Sequence, residues 1–372
     1  MTWSKYHKES QKLAIEAEFA LANGKQEEAL KLYRNAAEFE EKSLNELDDS
    51  KIRTKGITVV SAVALWYKAE EFTRAEQLAY SNLGDSSLID FARDELRNLV
   101  QVIWTEVVKR EAQVKFLPGQ VTVSLSGGEV VTGGAPLDLI VEKVQSIQAI
   151  FYRTIEMIKS IPHRRTGPPR RDIQNACRPW IFQAVPSSYQ FSVAVQRPSQ
   201  MDFFAEDVNP REITDKFMKI LTASISDASS EIENLVPDED YRITFQKLIR
   251  NLSPAKEGKA FSKIKLRSPD IPNPVVLDVD SRFKINKHIK EISDQTPEVI
   301  EKHEELQGTL RAVHLDKDWI EIHDRGGKSV RIRDLKNTVD DVIGPMVNKQ
   351  VIVKVRINSK NEYLFTDIEI DE

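Results

Sequence analysis

One cysteine, Cys177, occurs in 372 residues. A lone thiol excludes an intramolecular disulfide framework and a cysteine-based zinc cluster, and such usage fits a reducing compartment. Long apolar runs are also missing. The longest, residues 56–67, lies between Lys55 and Lys68 and falls well short of the roughly 20 residues a membrane span needs. The opening residues are polar and charged with no apolar signal-peptide core behind them, so a cytoplasmic protein without membrane association is expected. Neither sign of charge is in large excess. A net charge of −5 on a chain with 30% charged residues gives no bulk attraction to nucleic acid or anionic lipid.

Proline is absent from residues 4–111, and this stretch reads as helix almost throughout. Leu13, Ala17, Ala20 and Leu21 recur at helical spacing before Asn23-Gly24, a helix stop. A second helix carries Ala29, Leu30, Tyr33, Ala36, Ala37 and Phe39. Ala17, Gly24, Ala29, Tyr33 and Ala36 have the small–Gly–Ala–aromatic–Ala spacing of a tetratricopeptide repeat, which this segment resembles. Val59, Ala62, Trp66, Ala75 and Ala79 form a second, looser copy. A fifth helix with Leu96, Leu99, Val100, Ile103 and Trp104 caps the stack. The spacing also fits other antiparallel helical hairpins, such as the three-helix microtubule-interacting-and-transport type. The resemblance implies a groove that accepts a partner's peptide or helix.

After residue 117 the period changes from helical to alternating. Val121, Val123 and Leu125 predict a strand with one buried face. Two glycine pairs, 127–128 and 133–134, bracket a predicted short strand at 129–132. A long helix then runs from Pro136 through Ile158. Strands are predicted at 180–185 and 189–196, helices at 210–235 and 239–251, and strands at 260–266 and 274–279. The last residues predict five short strands (307–315, 319–323, 329–332, 350–357, 363–370) and a helix near 335–342, the pattern of a small barrel of oligonucleotide-binding or SH3-like type. The expected architecture is thus multidomain α and α+β: a helical-hairpin domain at 1–112, an α+β domain at 113–300 and a small five-stranded β-barrel at 304–372.

Catalytic signatures are as sparse as cysteine. The glycine pairs lack a following Gly-Lys-Ser/Thr, and GxGxxG, GxSxG and HExxH do not occur. His314, Asp316, Asp318 and His323 crowd one hairpin, where alternating outward faces account for them without a metal. Asp270, Asp278 and Asp280 suggest the acidic residues of a divergent metal-dependent nuclease, without the expected nearby lysine motif. No cofactor, metal or catalytic residue is expected. Basic residues do cluster. Arg164, Arg165, Arg170, Arg171 and Arg178 face only Asp172 between 164 and 178, and Lys259, Lys263 and Lys265 belong to a second basic stretch from Arg250 to Arg267. Together they are candidate phosphate contacts. Two functions are therefore expected: a non-enzymatic adaptor or subunit of a bacterial-type cytosolic assembly that docks a protein partner, with homo-oligomerisation open, or a nucleic-acid-associated subunit of a defence or genome-maintenance complex.

Overall fold

The computed structural model describes residues 2–371 apart from 49, 112–119, 132–133, 177, 183–188, 196–209, 256–258, 269–270, 294–301, 325, 336–337 and 359–360. Two compact units make up the chain: Met1–Val114 with Phe182–Ser187, and Lys115–Ile181 with Ser188–Glu372.

The first unit holds α1 (Trp3–Ala22), α2 (Gln26–Asn45), α3 (Ile52–Lys68), α4 (Phe72–Leu83) and α5 (Asp90–Glu111), each packed on its successor. Alanines set the close spacing: Ala17, Ala29, Ala36, Ala62, Ala75 and Ala92 have no exposed surface, so the helices approach without voids. Ties across the stack fix directions. Trp3 Nε1 donates to Thr58 Oγ1 at 3.4 Å and Lys68 pairs with Glu18 at 3.2 Å, so α1 and α3 run the same way. Arg34–Glu71 and Arg74–Glu41 do the same for α2 and α4.

In the second unit the central sheet has the order β2-β3-β1-β4-β5, from β1 (Val121–Ser126), β2 (Pro179–Phe182), β3 (Tyr189–Val195), β4 (Lys263–Ser268) and β5 (Ile271–Leu277). β1 is antiparallel to both β3 and β4. The helices are α6 (Leu137–Ile158), α7 (Arg171–Ala176), α8 (Pro210–Ser224), α9 (Ser229–Leu235), α10 (Glu239–Leu252) and α11 (Val279–Ser293). α6 packs on α8 and α10, and α10 also packs on α11.

Where the short strand is expected at 129–132, Gly127 bridges to Val130 and Val131 to Gly134, and residue 132 lies outside the described residues. The glycines at 127 and 128 have positive φ, and a Cβ at 128 would sit 2.4 Å from the Lys259 carbonyl oxygen, so the turn is set by close backbone approach. The helix expected at 210–235 is two. Ser226 Oγ accepts from the Ala228 amide, a local bond that competes with helix continuation. α11 was not anticipated. Asp278 caps it, accepting from the Ser281 amide at 2.9 Å and the Ser281 hydroxyl at 2.7 Å.

A closed barrel completes the unit: β6 (Lys302–His314), β7 (Trp319–His323), β8 (Ser329–Arg333), β9 (Gln350–Ile357) and β10 (Tyr363–Ile370), in the order β10-β8-β7-β6-β9. β10 closes on β8 in parallel, and the other recorded pairings are antiparallel. Among the described residues of the helix expected at 335–342, those from 340 on are α-helical, in α12 (Asp340–Ile343), which a 3-10 turn at Gly344–Met346 follows. β6 pairs first with β9 and then with β7, and at Gly308, beside this change of partner, a Cβ would lie 2.4 Å from the His323 carbonyl oxygen. Leu310, Ile320, Ile332, Val353 and Val355 fill the interior and join one continuous core with the sheet and helices. Gly308→Ala is expected to lower the unfolding free energy by about 1–3 kcal/mol through overpacking. Chemical denaturation would show it, and unchanged stability would refute the close approach.

Candidate functional site

The tetratricopeptide-like positions lie inside the first unit. Ala17, Ala29, Ala36 and Ala75 are fully buried, Tyr33 and Trp66 nearly so, and Gly24 adopts φ +75° at the turn after α1. They build the helical stack and leave the outer surface to other residues. Nine of the fourteen large exposed hydrophobic side chains among the described residues belong to α1–α5. Eight of the nine sit on α1, α3 and α5, and Tyr80 of α4 is the ninth. Ile15 and Phe19 are one helical turn apart on α1, as are Trp104 and Val108 on α5. Phe19 is 73% exposed.

The arginines of the 164–178 segment divide into two groups. Arg164 is held inside the second unit: its Nε donates to Glu156 at 2.8 Å, its Nη2 to Asp341 at 2.8 Å and its Nη1 to the Gly167 carbonyl. Arg165 pairs with Asp318 and donates to the Thr338 carbonyl. These side chains reach from the loop after α6 to the barrel, and both are occupied by carboxylates that a phosphate would have to displace. Arg170 is exposed and pairs with Asp172, while Arg171 and Arg178 face solvent. Lys259 and Lys263 are exposed and Lys265 is half-buried on β4. Cys177 and Asp270 lie outside the described residues.

Two buried ionic clusters, neither anticipated, join the helices to the barrel. In one, Arg153 of α6 is fully buried and donates to Asp341 at 2.8 Å and to the Arg164 carbonyl at 2.7 Å. Burial and the neighbouring Asp341 charge raise the pKa of Asp340. In the other, the Arg250 guanidinium of α10 bonds both oxygens of Asp367 on β10 and the Ile368 carbonyl at 2.7 Å. Arg282 of α11 reaches Glu369 at 2.8 Å. Burial alone would raise the Asp367 pKa, but Arg250 and Lys247 outweigh it and hold the carboxyl down at about 2. Burial pushes the Lys247 ammonium down despite Asp367. One signal for these clusters was visible in the sequence: Arg153 interrupts the apolar stripe of Ile150, Phe151 and Ile155.

Two of the carboxylate candidates, Asp278 and Asp318, have structural partners. Asp278 is the α11 cap, and hydrogen bonds from Ser281 overcome partial burial to hold its pKa low. His314 Nδ1 accepts from the Lys317 amide, Asp318 pairs with Arg165, and His323 lies 3.5 Å from Glu321. Among the described residues no group of three His, Cys, Asp or Glu side chains is placed to hold a metal ion, and no helix is long and apolar enough to cross a membrane. No known protein family, curated protein or solved structure matches this chain.

Arg250→Met is expected to cost about 3–5 kcal/mol by stranding a buried carboxylate, while Arg250→Met with Asp367→Leu recovers most of that loss. Equal destabilisation of the single and double variants would contradict the pairing. Because the folded-state pKa of Asp367 is depressed, its contribution is fully present above the unfolded value and lost as pH falls toward about 2. Acid unfolding of the wild type between about pH 4 and pH 2 is therefore expected to be steeper than that of Asp367→Asn.

Proposed function

We propose that this protein is a non-enzymatic adaptor, a subunit of a larger assembly that docks a protein partner through tetratricopeptide-like helical hairpins. One observation carries the reading: the exposed apolar side chains gather on α1, α3 and α5. In a hairpin stack alternate helices share one side, so these residues are suited to grip an apolar peptide or helix. The parallel course of α1 and α3, and of α2 and α4, supports the repeat-like arrangement. Buried alanines and Tyr33 at the repeat positions support it too.

The test uses full-length tagged protein captured from the native host. The variant Ile15→Glu with Phe19→Glu changes exposed positions only, so its thermal unfolding should match the wild type. Partners recovered by the wild type should drop at least tenfold with the variant, measured by quantitative mass spectrometry. An identical set at identical abundance would refute the helical surface as the docking site.

A second reading is nucleic-acid association. The closed five-stranded barrel, with β8 parallel to β10 and α12 between β8 and β9, supports a reading as an oligonucleotide-binding type. On its outer face Arg331 lies 4.3 Å above the Trp319 ring, with the His314 ring 5.7 Å away. Such a face is suited to stack bases. Arg171, Arg178, Lys259 and Lys263 are exposed candidates for phosphate contacts, and Arg170 would have to leave Asp172 to join them. At low salt, fluorescence anisotropy of a labelled single-stranded oligonucleotide should show binding that Trp319→Ala weakens about fivefold to a hundredfold. No anisotropy change at low salt would remove this reading.

A further inference from the structure

A cavity of about 710 Å³ opens between α11 and the barrel strands β6, β9 and β10, within the range of small-molecule sites. Its two walls differ in chemistry. On α11, Phe283, Asn286, Lys287 and Lys290 fall at spacings of three and four, so one stripe of the helix faces the space. Phe283 is 74% exposed. Lys290 has no ion-pair partner among the described residues. Lys287 has only an exposed contact with Glu291 at 3.8 Å, which contributes little.

The barrel wall adds an independent feature. β10 pairs Phe365 with Val355 and Asp367 with Lys354, which leaves Thr366 as an extra residue in a bulge. Bulges re-aim side chains at barrel rims. Thr366 lines the cavity, and its Oγ1 is buried with no hydrogen-bond partner among the described residues. A buried hydroxyl without a partner is costly, and a bound ligand would satisfy it. The carboxylates lining the same space sit on the barrel side: Asp367, which Arg250 and Lys247 neutralise, and Glu304 and Glu305 of β6. His303 and Lys354, which pairs with Glu369, line the barrel side as well.

We propose that this cavity binds a small planar aromatic molecule bearing an anionic group, its ring against Phe283, its anion at Lys287 and Lys290, and a polar edge at Thr366. That chemistry belongs to mononucleotides and to aromatic acids alike. The site is separate from the helical docking surface and stands or falls independently of it.

The experiment titrates full-length protein with 8-anilinonaphthalene-1-sulfonate, followed by fluorescence, with adenosine 5′-monophosphate, adenosine and indole-3-acetate as competitors. Saturable dye binding should weaken at least tenfold in Phe283→Ala and in Lys287→Glu with Lys290→Glu, all exposed changes. Displacement by the monophosphate and not by adenosine identifies a nucleotide source, and displacement by indole-3-acetate alone identifies an aromatic acid. Thr366→Val should weaken the effective competitor while thermal stability is kept or raised, a split that a purely structural hydroxyl would not give. Dye binding that is absent, unchanged in both α11 variants, or displaced by neither anion would overturn the assignment.

Discussion

The bidentate contact between Arg250 and Asp367 is the constraint on which the second unit turns. α10 packs on α6 and α8 and also on α11, so Arg250 projects from the middle of the helical layer. Its guanidinium is fully buried and meets a carboxylate carried by the last barrel strand. Desolvating both ions is offset only if their hydrogen bonds are made well. The Ile368 carbonyl and the nearby Glu369–Arg282 pair help meet that demand. A second cluster around Arg153 and Asp341 repeats the arrangement at another point on the barrel. Apolar packing alone would tolerate sliding between helices and barrel, whereas these directional contacts fix one seating.

Legibility followed the kind of physics involved. Periodic patterns showed in the sequence: the five N-terminal helices, the long helix at 137–158 and five barrel strands appear close to where alternation and helical spacing put them. Boundaries set by local hydrogen bonds did not. Ser226 splits a helix, and Asp278 starts one where the text Leu-Asp-Val-Asp reads as a strand end. Long-range charge pairing was the least visible. Arg164 and Arg250 look like members of basic stretches, yet their partners, Asp341 and Asp367, stand more than a hundred residues away. Local charge counts cannot register such pairs. An arginine inside an apolar helical stripe, as at 153, was the one clue on the page.

These placements redistribute the functional signal. Arg164 and Arg165, counted with a phosphate-seeking segment, serve as struts to the barrel. The aromatic residues of the helical stack also split. Tyr33 and Trp66 pack inward, while Phe19 and Trp104 look outward. The helical stack keeps its alanines for helix contacts and leaves several large apolar side chains exposed, the feature on which the proposed docking rests. The opening between α11 and the barrel has a different character, with lysines and one aromatic ring facing an unpartnered hydroxyl. The proposed docking surface and the proposed small-molecule site thus use different residues of the protein.

The extra residue in β10 acts as a change of reading frame for the strand. Before it, odd-numbered Phe365 points into the barrel, and after it even-numbered Ile368 does. Asp367 and Glu369 are thereby turned outward, toward Arg250 and Arg282. Kept in the earlier frame, the same sequence would aim two carboxylates into an apolar interior and Ile368 at a guanidinium. The position of one threonine thus decides which side of a strand carries charge, and evolution could lengthen or trim either neighbouring loop more safely than this single step.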